Sequence, residues 1–141
     1  MHGGPVSAIR KGFEPDGIPV RILDGQRIYW HVLSVEGARK MIFVSGQVPR
    51  GMDGRPVCPG DMAGQIRHIG ENIKKCLEAA GATLGDLVRI VCYTTDIDEF
   101  HRHASVRNEY FGKALPPSTA IEVRRLGHPD WLIEIEATAM V

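Results

Sequence analysis

Hydrophobic positions along the chain switch between a period of two and a period of three to four, and the switches mark the elements. Residues 20–23 and 27–33 are two apolar-rich runs divided by Asp24-Gly25, the dipeptide that favours a tight hairpin. Met41-Ile42-Phe43-Val44 is a short continuous apolar run that reads as a buried strand. Residues 49–60, rich in Gly and Pro, form a loop. Asp61 then stands as a cap before Met62, Ile66, Ile69, Ile73, Leu77 and Ala80, whose steps of three and four predict a helix that Gly81 ends. Gly64 and Gly70 inside it allow close packing against a sheet. Residues 87–95 read as a strand, and a second helix follows Asp96 or Asp98, with Phe100, Ala104, Arg107 and Phe111 on one face. Pro116-Pro117 ends it. Residues 119–126 and 131–141 are predicted as the closing strands. In the last, Ile133, Ile135, Ala137, Ala139 and Val141 share one face, and Leu132, Glu134, Glu136, Thr138 and Met140 the other. The order is β-β-β-α-β-α-β-β. Residues 1–19, broken by Gly and Pro, are expected to be an irregular lead-in. Residues 20–141 are expected to form a single α+β domain, a mixed sheet with two helices packed on one face.

With helices on the Ile/Ala face, the opposite face carries Glu134, Glu136 and either Glu122 or Arg124. An open sheet face that is half apolar and half charged is either solvated or buried against another subunit, where its charges need partners. The 141 residues hold 17 Lys+Arg and 17 Asp+Glu, a formal charge of zero. That balance argues against binding nucleic acid or an anionic membrane through a long-range field. Cys58, Cys76 and Cys92 are scattered, which fits reduced thiols rather than a disulfide framework. No secretory signal or run of ~18 apolar residues is evident, so a cytoplasmic protein is expected.

The generic catalytic signatures, G-x-S-x-G, the phosphate-cradling P-loop and H-E-x-x-H, are absent. His101 and His103 are two apart and diverge on a helix, so they read as surface imidazoles and no metal site is expected. Arg124 and Arg125 face opposite sides of a strand and make no basic patch. Three pieces remain. Val44-Ser45-Gly46-Gln47-Val48-Pro49 ends a buried strand where a glycine lets a ligand reach the backbone N–H. Pro116-Pro117-Ser118-Thr119 opens another strand, and Ile133-Glu134-Ile135-Glu136-Ala137 sets two carboxylates on one face. A sheltered carboxylate with a raised pKa can serve as general acid or base.

These pieces, with Asn72-Ile73, Leu77-Glu78-Ala79-Ala80-Gly81-Ala82, Leu84-Gly85-Asp86-Leu87-Val88, Tyr93-Thr94-Thr95-Asp96, Glu109-Tyr110-Phe111 and Glu122-Val123, are collinear over roughly residues 32–141 and resemble the RidA family, also called YjgF/YER057c or L-PSP proteins. The resemblance implies a chorismate-mutase-like fold and a homotrimer whose clefts lie between subunits. It implies no cofactor. Its best-known members are enamine/imine deaminases that release ammonia and a 2-oxo acid from 2-aminoacrylate-type intermediates. By resemblance, Ser45 and Gly46 bind the substrate near its carboxylate, with the Gly46 N–H as donor, and Glu134 handles the attacking water. The chain departs from the pattern at Ser118, where the deaminases carry an arginine that forks onto the substrate carboxylate; a serine cannot make that bidentate pair. The family tyrosine is also unmatched in spacing, which leaves Trp30 and His31, beside Tyr29, as candidate pocket residues. Three functions stay open: a deaminase or hydrolase for a different small reactive metabolite, a non-catalytic homotrimer that binds a metabolite between subunits, and a ribonuclease or translation inhibitor. The last is disfavoured by the charge balance.

Overall fold

Asp24 and Gly25 both adopt positive φ, 50° and 78°, the geometry of the tight hairpin that their sequence favours. They join β2 (Ile22–Leu23) to β3 (Gln26–Arg27), a two-residue antiparallel pair. The computed structural model describes residues 8–141. After β3 come β4 (Val32–Glu36), β5 (Met41–Gln47), α1 (Met62–Ala79) and β6 (Leu87–Thr94). The chain continues through α2 (Ile97–Arg102), α3 (Ala104–Phe111), β7 (Ser118–Glu122) and β8 (Ile133–Met140). The main sheet has the order β5-β8-β6-β7. Its β5–β8 and β8–β6 pairs are antiparallel, whereas β6 and β7, joined by a helical crossover, are parallel. This is the expected α+β architecture.

Both helix starts form through their aspartates. Asp61 accepts the Gly64 N–H at 2.9 Å and Asp96 accepts the Glu99 N–H at 3.0 Å. Met62, Ile66, Ile69, Ile73 and Leu77 of α1 are buried in one core with Ile90 and Cys92 of β6 and Ile133, Ile135, Ala137 and Ala139 of β8. Strand β8 alternates buried and half-buried along its whole length, so Glu134, Glu136 and Thr138 stand on the open face. Gly81 leaves α1 at φ 82°, the left-handed turn that glycine accepts without strain.

The structure corrects several expectations. Within the expected irregular lead-in, Ile9–Phe13 is a strand, β1, paired antiparallel with β4 from Ile9↔Glu36 to Phe13↔Val32. Its pairing is carried by backbone rather than by buried side chains, since Ile9, Lys11 and Phe13 are exposed. Residues 14–19 are irregular as expected, and the part of that expectation over residues 1–7 lies outside the described residues. The predicted strand 27–33 is split because the Trp30 N–H leaves for Leu115 O at 2.9 Å. The second helix is interrupted at His103, and β7 ends at Glu122 rather than continuing to 126. Gly70 faces the Tyr110 ring of α3, not a sheet; a Cβ there would overlap the ring. Glu122 lies on the helix side, where its Oε1 accepts the Ile97 N–H at 3.1 Å, and so does not join Glu134. Among the described residues no helix is long and apolar enough to cross a membrane.

Candidate functional site

Glu134 is placed by a chain of buried polar contacts. Gln65 of α1 is fully buried; its Oε1 accepts the Leu132 N–H at 2.8 Å and its amide donates to Asp130 O at 2.8 Å and Cys58 O at 3.1 Å. Thr94 Oγ1 donates to Leu132 O at 2.7 Å from the other side. The entry of β8 is therefore clamped two residues before Glu134. Across the sheet, Val44↔Ala137 and Gln47↔Ile135 leave an extra residue on β5, a bulge at Ser45-Gly46. The Gly46 backbone lies so close to the Glu134 carboxylate that a Cβ would collide with Oε2. Here the glycine admits the catalytic candidate itself.

This carboxylate lines a cleft of about 290 Å³ with Gly46, Tyr93, Arg125 and Glu136. Burial, with the charge of Glu136 added, holds the Glu134 pKa above the ordinary carboxylate range. Glu136 in turn accepts a short hydrogen bond from the Tyr93 hydroxyl, which keeps that phenol protonated. Among the described residues Glu134 has no ion-pair partner. Arg125 borders the cleft without neutralising it. Ser45 is exposed at the bulge, and its carbonyl accepts from Gln47 Nε2 at 3.1 Å.

Ser118 is elsewhere. It pairs with the core residue Ile90, so its side chain shares the helix side of the sheet with Ala120 and Glu122. There it lines a second cavity, of about 180 Å³, with Arg21, Tyr29, His101 and Arg107. Neither Trp30 nor His31 lines either of these two cavities. Trp30 fills the space over Gly12 and lies under the Arg27 guanidinium, 3.8 Å from its ring centroid. His31 sits 2.9 Å from Pro19 O and edge-on to Tyr29. Of the three neighbouring aromatic residues it is Tyr29 that faces the Ser118 cavity. The structure thus brings Gly46 and Glu134 together, leaves Ser45 exposed beside Gly46 and outside the lining of the Glu134 cleft, sets Ser118 on the opposite face, and gives Trp30 and His31 structural contacts.

Sequence reasoning missed Tyr93, Arg21 and Arg107 as site residues. For Arg107 a signal existed, because it sits on the helix face with Phe100, Ala104 and Phe111, where an arginine must be buried. Cys92, close behind it, is a buried thiol whose pKa burial pushes up to about 12, so it is no nucleophile near neutrality.

Comparison with known proteins agrees with this architecture. The family model described as Endoribonuclease L-PSP matches residues 26–141. A RutC family protein of Pyrococcus abyssi is 43% identical over 98 residues, covering 70% of this chain and 76% of the relative. The 2-iminobutanoate/2-iminopropanoate deaminase of Escherichia coli is 35% identical over 103 residues, covering 71% and 79%. Among solved structures, YyfB of Yersinia pestis, a protein of unknown function in the conserved Rid family, superposes with a TM-score of 0.78. It is 27% identical, and the match covers 94% of this chain and 98% of that one.

Proposed function

The chain belongs to the L-PSP family, whose members also carry the names RidA and YjgF, and from that premise we propose that it is an imine/enamine hydrolase of the deaminase type. Its substrate is a small reactive metabolite other than the usual 2-aminoacrylate, because Ser118 stands where the deaminases hold an arginine. The observation that carries the reading is the unpaired, partly buried Glu134 seated against the Gly46 backbone.

The chemistry asks for two proton transfers. Water adds to the carbon of C=N as its proton goes to a base and the nitrogen gains one, giving a carbinolamine. The carbinolamine then loses ammonia, the C–N bond breaks and the C=O bond forms. A carboxyl group with a raised pKa suits both steps, since it accepts the proton of water and returns it to the leaving nitrogen. Glu136 raises the proton affinity of Glu134 and is itself held by Tyr93. That Glu134 has no ion pair among the described residues favours a working carboxylate over a merely structural one.

The working unit in this reading is a homotrimer. Glu134 and Ser118 lie on opposite faces of one sheet, so a small molecule cannot touch both within one protomer. Ser118 stands on β7, the edge strand of the sheet, so packing the open sheet face of one protomer against the β7 edge of the next would bring Glu134 of one protomer to the Ser118 cavity of its partner. Phe43, 75% exposed, and the exposed Met41 and Ile121 supply apolar surface for that contact.

The test is hydrolysis of imines generated in situ by an amino-acid oxidase, across a panel of side chains. Wild-type protein is expected to accelerate ammonia release and Glu134→Ala to be inactive with its assembly intact. Turnover retained in Glu134→Ala would remove this carboxylate from the reaction.

A further inference from the structure

Arg107 is 4% exposed, and among the described residues no carboxylate answers it. Its Nη1 donates to Asn108 Oδ1 at 3.0 Å and, at 3.4 Å, to Ile28 O. Its Nη2 is buried with no hydrogen-bond partner. The neighbouring charge is Arg21, of the same sign. Burial draws the guanidinium's pKa down and Arg21 adds to that effect, yet an arginine stays protonated at any physiological pH. A buried cation next to a second cation is a costly arrangement unless something negative joins it.

The space for that partner is present. Arg107, Arg21, Tyr29, His101 and Ser118 line the same cavity of about 180 Å³. It is smaller than the roughly 300–1,000 Å³ of drug-sized sites, which suits a small anion. A guanidinium is also the side chain whose geometry matches a carboxylate.

We propose that Arg107, seconded by Arg21, is the anion anchor of this protein and holds the carboxylate of a small imine or enamine acid from the helix side of the cavity. The charge missing at Ser118 is thereby supplied from α3 and from the segment before β2, and the small serine leaves the anion room to reach it. That the anion belongs to an imine rests on the hydrolase reading above; the anion site itself does not. The substrate class is then a carboxylate-bearing imine whose carboxylate is set back toward α3.

Binding of 2-oxobutanoate, a ketone with the carboxylate but no imine to hydrolyse, tests the site on the full-length assembled protein by titration calorimetry. Wild type is expected to bind it, and to bind the neutral 2-oxobutanamide at least about tenfold more weakly. Arg107→Met, which keeps the bulk and drops the charge, and Arg21→Ala, at an exposed position, are each expected to weaken 2-oxobutanoate at least tenfold. Arg107→Lys should restore part of the loss. If Arg107→Met fails to fold, Arg21→Ala and the amide comparison decide alone. No binding by wild type, equal binding of acid and amide, or affinities within twofold in the arginine variants would overturn the anion site. Imine hydrolysis that survives those results leaves the hydrolase reading standing. Arginine-dependent binding without any imine hydrolysis does the reverse.

Discussion

The Gly46 backbone and the Glu134 carboxylate occupy one another's space so closely that no side chain fits between them. The contact is made possible by the bulge that ends the β5–β8 pairing, and it fixes where the carboxylate can stand. Gly46 is not at positive φ, so alanine is acceptable to the backbone there. Gly46→Ala should therefore fold and displace Glu134 alone. Since an ångström of misplacement can cost about 10²-fold in rate, kcat for imine hydrolysis should fall at least about tenfold. Thermal denaturation should show a Tm within a few degrees of wild type, and an unchanged kcat would disconnect the contact from the chemistry.

Glu136 raises the Glu134 pKa, so removing its charge should lower it. If the ionised Glu134 accepts the proton of water, the acid limb of the kcat/KM profile lies above the ordinary carboxylate range in wild type. It should move to lower pH in Glu136→Gln, whose amide oxygen can still accept from Tyr93. The same shift has a sign in stability. Glu134 holds its proton more tightly folded than unfolded, so its contribution is fully present below the unfolded carboxylate pKa and is lost as pH rises through the folded one. Glu134→Gln should accordingly gain in Tm over wild type at neutral pH, with the gain shrinking toward pH 4. An acid limb that does not respond to Glu136→Gln would mean another group titrates.

How much of this was legible in the chain depended on whether the signal was local. Asp24-Gly25, Asp61, Asp96 and Gly81 act on their own few residues, and each forms what it predicts. The alternation of β8 is equally local, and so are the faces of Glu134 and Ile135. The relation of Glu134 to Ser118 is not. It depends on two registers, Tyr93↔Glu134 and Ile90↔Ser118, which set the two residues on opposite sides of the sheet. Neither register can be read from spacing. β1 was invisible for a related reason: its residues are held by the backbone of β4, and three of its five side chains are exposed. Trp30 looked like a pocket residue because it is aromatic and near the expected tyrosine, but Gly12 and Arg27 enclose it.

Gln65 satisfies three backbone groups of the segments that carry the site, and it does so fully buried. Gln65→Leu keeps the approximate volume and orphans the Leu132 N–H and the Asp130 carbonyl, while Cys58 O keeps its bond from the Asp61 N–H at 3.1 Å. Each buried group left without a partner costs about 1–3 kcal/mol, partly recovered by relaxation, so a net loss of about 2–4 kcal/mol is expected in urea unfolding. The entry of β8 should loosen with it, seen as faster amide exchange at Leu132. A variant as stable as wild type would show that the clamp is dispensable.

The assembly can be tested through Phe43, which stands on the open sheet face away from both cavities and is 75% exposed in the single chain. Burying an apolar ring of this size is worth about 1.5–3 kcal/mol per protomer, and a buried lysine without a partner is strongly unfavourable. Light scattering should give wild type three times the chain mass of 15.5 kDa. Phe43→Lys should shift it toward the monomer with its helical circular dichroism unchanged. If Glu134 and the Ser118 cavity meet only between protomers, the dissociated variant loses imine hydrolysis although every residue of both clusters is intact. A monomer that retains full turnover would place the whole reaction on one face of one sheet, and with it exclude any role for Ser118 and its cavity.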